Sequence, residues 1–316
     1  MSVIKATNII LKKCMGLREN ESVLVVTDSK LRKIGDAFLE SALKITDSVE
    51  LEEIPIPKVH GTEPPEDIAN DMLNYDVNIM VTSKSLSHTK ARIRATKKGV
   101  RIVTLPGVNS EMMERCIDID YDELKKRTLK IKKILDNGKR VAVKTTLGTN
   151  LSFSIAGRKA LGDDAGIYDK KGSFGNLPAG ETYIAPLEKT ANGIYIVDAS
   201  FAGIGKVKSP IKVMVKNGYA VDIKGKKSDK IKKLLECAGK EARNIAEFGI
   251  GTNDKAKISG HVLEDEKVFG TCHIALGNNM GFGGKVDVPL HLDGVIRRPT
   301  IFIDNKKIMD NGKLLV

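Results

Sequence analysis

The sequence predicts a two-domain chain: an α/β domain with a doubly wound parallel sheet over residues 1–118, a connecting helix over 119–138, and an α+β domain over 139–316. Three observations carry this. The first 116 residues alternate short β-branched runs with stretches of helical spacing. From residue 140 onward strands crowd together, glycines fill the turns and helices become scarce. A length of 316 residues also suits roughly two domains.

The elements follow in order. Residues 3–17 carry apolar side chains at helical spacing, and VLVVT at 23–27 reads as a buried strand. Helical spacing returns over 31–45, and the alternating run 49–56 stops at Pro55 and Pro57. Pro64 and Pro65 open a helix to residue 75, and VNIMVT at 77–82 is the third strand. A basic helix over 88–98 ends at Gly99, before a fourth strand at 100–105. Strands joined through helices form βαβ units, and ligands in such sheets bind beyond the carboxyl ends of the strands. The charged helix over 118–137 places Leu124, Ile131, Ile134 and Leu135 on one side, with Gly138 as its C′ residue. Beyond it the strands read as antiparallel, with one further helix over 228–246.

Composition narrows the function classes. Hydrophobic residues at 41% and charged residues at 29% exclude a disordered chain. No run of 18 apolar residues exists, so no membrane partner is expected. The N-terminal stretch is interrupted by Lys5, Asn8, Lys12 and Lys13, which argues against a secretory leader and for the cytoplasm. Cys14, Cys116, Cys237 and Cys272 are widely spaced and read as reduced thiols. The net charge of +12 raises nucleic acid as a partner. However, the six lysines over 224–233 suit a solvated face, and aromatic residues are only 4%, so stacking platforms are missing.

The familiar catalytic fingerprints HExxH, GxSxG and the P-loop are absent. Gly249-x-Gly251 and Gly281-x-Gly283 lack the third glycine of a dinucleotide site and read as turns. What remains is a set of histidines and carboxylates in the second half. In His291-Leu292-Asp293 a strand would put imidazole and carboxylate on one face. His273 lies in the apolar segment GTCHIALG, where a polar ring needs a partner. Glu247 sits in NIAEFGIGTN and Glu181 in GNLPAGETYIAP, each among small or apolar neighbours. Singly, these are also a core histidine, a turn cap and a hydrogen-bonded pair; together they point to a metal site.

These segments, in this order, resemble the aminopeptidase T and aminopeptidase S family of metallopeptidases, and SLSHTKARIRATKKGVRIVTLPGV over 85–108 resembles its shorter members. The resemblance implies a homodimer and a dinuclear site of Glu181, Glu247, His273, His291 and Asp293, holding two divalent ions such as Zn, Co or Mn. It implies a hydrolase that releases N-terminal residues from small peptides, a metal-dependent aminopeptidase with Glu247 as bridging ligand or base. Two departures stand out. The family's further ligand Glu is Val268 here, with Glu266, seven residues before His273, as the candidate replacement. The catalytic Tyr of the longer members is Met280. His60 and His88 lie outside the ordered set and are not assigned as ligands. His88, near the start of the 87–98 helix and beside a strand end, is assigned a capping or substrate-facing role.

The same residues support an alternative. His273, His291 and Asp293 make a set of two imidazoles and one carboxylate, which suits a mononuclear Fe(II) oxygenase. A dihydroxypyridine ring-cleaving dioxygenase is similar to this peptidase family, so a change of chemistry on one scaffold is coherent. A third alternative, a non-catalytic nucleic-acid binder, rests on charge alone.

Overall fold

The computed structural model describes residues 2–162 and 165–316. The described residues form two compact units. The first comprises residues up to Tyr121 together with Gly166–Ala179; the second comprises Asp122–Ala165 and Gly180–Val316.

The first unit is built on a five-stranded parallel sheet. Its spatial order is Val49–Ile54, Val23–Asp28, Val77–Val81, Arg101–Thr104 and Phe174–Asn176. The apolar runs make it so: Val23–Asp28, Val77–Val81 and Arg101–Thr104 are buried along their whole length, as strands covered on both faces must be. Helices Glu66–Asp71 and Lys90–Lys98 pack Ile68, Ala91 and Ala95 on Leu24, Val26, Met80 and Ile102. Thr89 caps the second of these by accepting from the Arg92 amide, and Gly99 ends it at φ 103°. The first helix, Val3–Ile9, passes into a π-helical turn over Ile10–Cys14 and packs against helices Arg32–Ala42 and Ser110–Cys116. The α/β reading of this half is therefore what the chain adopts.

The second unit opens with helix Tyr121–Asn137 and is dominated by two antiparallel sheets. One has eight strands. The other has six, in the order Gly205–Lys206, Ser200–Phe201, His291–Arg297, Thr271–Gly277, Ile245–Gly251 and Glu181–Ile184. Between them lies the core: Phe248, Ile250, Ile274, Leu276, Leu292 and Ile296 of the six-stranded sheet meet Val141, Val143, Phe153, Tyr195 and Val213 of the other. Ring–ring contact of Phe153 with Phe248 at 5.4 Å joins the sheets.

Two local expectations need correction. The helix read over 228–246 stops at Cys237, where Gly239 at φ 90° breaks it. A 3-10 turn follows over Lys240–Arg243, and Ile245 already belongs to a strand. Gly249 and Gly251, read as turn residues, lie inside that same strand, Ile245–Gly251. Among the described residues no helix is long and apolar enough to cross a membrane.

Candidate metal centre

Side chains alternate across a strand, so each residue of a directly opposed pair points to the same face. In the six-stranded sheet Gly251 opposes Glu181, Gly249 opposes His273, Ala275 opposes both Glu247 and Asp293, and Gly277 opposes His291. All the candidate residues on these four strands therefore share the face opposite the core. That face is cleared by small residues. A Cβ on Gly249 would lie 2.0 Å from His273 Nε2, so only glycine lets the imidazole lie across its neighbour strand. A Cβ on Gly251 would lie 2.1 Å from the Val268 carbonyl oxygen. Its absence lets the turn carrying Glu266 and Lys267 close over the sheet.

The polar atoms converge. His273 Nε2 lies 3.1 Å from Glu247 Oε1 and 3.5 Å from Glu181 Oε2. His291 Nε2 lies 3.5 Å from Glu247 Oε2 and 3.4 Å from Asp293 Oδ1. Two triads of possible ligand atoms result, Glu181–Glu247–His273 and Glu247–His291–Asp293, each within 4.8 Å and sharing Glu247. His291 Nδ1 donates to the Asn278 carbonyl at 2.9 Å when the ring is neutral, which turns the Nε2 lone pair toward the carboxylates. Phe282 packs edge-on to the His291 ring at 5.7 Å and to Tyr183 at 5.8 Å.

The charges are crowded. Burial disfavours an ionised Glu247, but hydrogen bonds from the two imidazoles outweigh it and hold the carboxyl down at about 2. Burial would likewise lower His273, yet Glu247, Glu181 and Asp293 push it up to about 9, and against the same burial Asp293 and Glu247 raise His291. Burial raises Glu266 to about 8, with Lys267 opposing the shift. Lys267 is itself buried, with its Nζ 2.6 Å from Glu181 Oε1 and in direct contact with Glu266 Oε1.

The donor set fits a divalent ion. Glu181 Oε2 and Asp293 Oδ1 are buried oxygens that face only an imidazole nitrogen, at 3.5 and 3.4 Å, with no well-formed hydrogen bond, an arrangement that is costly unless a cation compensates it. Donors at 2.0–2.2 Å from one ion and at right angles lie about 3 Å apart, close to the observed 3.1–3.5 Å spacings. With both imidazoles neutral, as metal ligands must be, Glu181, Glu247 and Asp293 outnumber the Lys267 ammonium, and the surroundings attract positive charge.

The structure thus brings Glu181, Glu247, His273, His291 and Asp293 to one sheet face. Glu266 is not in either triad; it caps the short helix Val262–Asp265 and faces Lys267 instead. His60 and His88 belong to the first unit, where His60 Nδ1 accepts from the Ser85 amide and His88 is exposed just before the Thr89 cap. Sequence reasoning missed Lys267, Gly249, Gly251 and Phe282.

Comparison with known proteins bears on the chemistry. The model of the family described as NicX, 2,5-dihydroxypyridine 5,6-dioxygenase, matches residues 2–316. A 2,5-dihydroxypyridine 5,6-dioxygenase of Pseudomonas putida is 22% identical over 257 residues, covering 75% of this chain and 71% of that protein. The solved structure of 2,5-dihydroxypyridine dioxygenase from Pseudomonas putida superposes with a TM-score of 0.85 at 19% identity, covering 99% of this chain and 97% of that one. Wild-type AmpT from Thermus thermophilus superposes with a TM-score of 0.72 at 15% identity, with 99% of both chains covered. The likeness to AmpT shows a shared fold and no more. The expectation of a hydrolase, a metalloprotease releasing N-terminal residues, is overturned by the family match over residues 2–316, which is to an oxygenase. The pair of Zn, Co or Mn ions expected with it loses its support; what stands is a possible metal site.

Proposed function

The chain belongs to the 2,5-dihydroxypyridine 5,6-dioxygenase family, and on that premise we propose that it is a mononuclear non-haem iron dioxygenase opening a dihydroxylated, nitrogen-containing aromatic ring. The observation that carries this is the family match over residues 2–316, joined to a face bearing two imidazoles among carboxylates. His273 from one triad, with His291 and Asp293 from the other, would hold Fe(II), the donor composition of ferrous oxygenases that leaves positions open. When bound, the ferrous ion supplies the binding and reduction of O2.

The chain's own groups do the rest. The Asn278 carbonyl fixes the His291 tautomer. Gly249 leaves the space in which the His273 ring lies. Glu247, between the two Nε2 atoms, is held ionised and accepts the hydrogen bond of a ring hydroxyl at a carboxylate oxygen. The edge-to-face run Tyr183–Phe282–His291 offers an apolar wall against which an aromatic ring is laid. The segment carrying Phe282 is pinned on both sides of it: Glu188 accepts from Asn279 Nδ2 at 3.1 Å and the Lys285 amide at 2.9 Å, and is itself held by Arg158 Nη2 at 2.6 Å.

The test is to load the protein anaerobically with Fe(II) and, separately, with Zn(II), add 2,5-dihydroxypyridine and air, and follow the ring absorbance. Loss of absorbance with iron alone is expected. An unchanged spectrum with one iron bound per chain would overturn the substrate assignment.

A further inference from the structure

The sheet face offers two overlapping cation positions, yet the function proposed above uses a single ion. An ion held by His273, His291 and Asp293 leaves Glu181 and Glu247 of the first triad over, and of these Glu181 has a neighbour already in place. Lys267 Nζ lies 2.6 Å from Glu181 Oε1 and contacts Glu266 Oε1, and its side chain is only 3% exposed. An ammonium at full burial needs such pairing, and a carboxylate in the same surroundings needs a cation. The other oxygen of Glu181, Oε2, has no hydrogen-bond partner and lies 3.5 Å from His273 Nε2. Glu181 is therefore turned between an organic cation on one side and the imidazole on the other.

How Lys267 reaches this place is also visible. The turn carrying it closes on the strand at Gly251, where a Cβ would lie 2.7 Å from the Lys267 carbonyl carbon. The Asn253 amide then donates to the Lys267 carbonyl at 2.8 Å. The lysine is fixed by its backbone before its side chain is considered, so it is no mobile surface group folded inward.

We infer that the Lys267 ammonium occupies, as a built-in monovalent cation, the ground that a second divalent ion would take, and so limits the centre to one metal. This rests on the single-ion reading of the function. Lys267 already brings one positive charge against Glu181 and Glu266, the charge a second ion would otherwise supply at Glu181.

The test uses Mn(II), which is stable in air and suits mixed imidazole and carboxylate donors. Wild type, Lys267→Met, Lys267→Arg and the double variant Glu266→Gln/Lys267→Met are saturated with Mn(II) and desalted, and the metal is counted per chain. Electron paramagnetic resonance then distinguishes isolated from spin-coupled ions. One equivalent is expected in wild type and Lys267→Arg. Two equivalents with a coupled spectrum are expected in Lys267→Met and in the double variant, which strands one carboxylate fewer. A folded Lys267→Met that still binds one ion overturns the inference while leaving the single-iron function intact. Failure of both variants to fold even with Mn(II) present also counts against it, since the second ion is meant to replace the ammonium. Two ions in wild type overturn it as well. No metal in wild type is a failure of the proposed function itself.

Discussion

Gly249→Ala is the sharpest probe of how the sheet builds the centre. The added methyl would lie 2.0 Å from His273 Nε2, 2.2 Å from Cε1 and 2.9 Å from Cδ2. Ordinary carbon contacts are about 3.5–4.0 Å, so the ring must move by more than 1 Å or the strands must part. His273 is wholly buried on a central strand, paired on both sides through Thr271–Gly277. The ring is the softer element, and it swings away from Glu247. Overpacking of this kind costs about 1–3 kcal/mol of stability. The displaced donor weakens metal affinity by about 10–100-fold, comparable to the loss of a group that orients a ligand. Urea unfolding gives the first quantity and competition with a chelator the second. Gly251→Ala is the control: its methyl meets the Val268 carbonyl and the Lys267 backbone, which cannot rotate aside. It should lose more stability than Gly249→Ala. Wild-type metal affinity in Gly249→Ala would show that His273 is not a ligand through Nε2, and the reasoning would fail.

Three further outcomes follow from the same geometry. His291→Ala and Asp293→Ala should each lose tight metal binding with the far-ultraviolet circular dichroism unchanged, because both side chains stand on the sheet face away from the core; metal retained in both would place the site elsewhere. Glu247→Gln should keep one iron but turn over about 10–100-fold more slowly, the loss expected for a charged group that orients the imidazoles and the substrate hydroxyl, read by steady-state kinetics beside metal analysis. Burial works against an ionised Glu188, but the Lys285 amide, Asn279 and Arg158 lower its pKa below the ordinary 4.5. Glu188→Gln should therefore cost about 1.5–3 kcal/mol at neutral pH. The difference from wild type is complete above pH 4.5 and disappears as the pH falls through the depressed value, which acid titration of urea stability would measure.

Much of this could be read from the chain. The strands of the first unit announce themselves because a buried parallel sheet demands uninterrupted runs such as VLVVT and VNIMV. The polar residues of the second unit were legible because Glu247, His273 and Asp293 stand on strands whose alternate positions are core. The glycines misled. Gly249 and Gly251 look like turn residues, but each serves by having no side chain where another chain segment crosses. The return of Phe174–Asn176 to the first unit's sheet rests on a three-residue strand, too short for any periodicity. The choice between hydrolase and oxygenase was not legible because both chemistries draw on the same imidazoles and carboxylates. What bears on the number of ions is Lys267, and nothing in the local pattern EDEKVFG says that its side chain turns inward between Glu181 and Glu266.

In a mononuclear ring-opening dioxygenase both atoms of O2 enter the opened ring at a single iron. Turnover of 2,5-dihydroxypyridine by the iron-loaded protein under ¹⁸O2, followed by mass spectrometry of the product, tests it most directly. The expected result is a ring-opened product carrying two heavy oxygen atoms, with one iron per chain throughout. A product labelled from water alone, or a ring left intact while iron is bound, would contradict it.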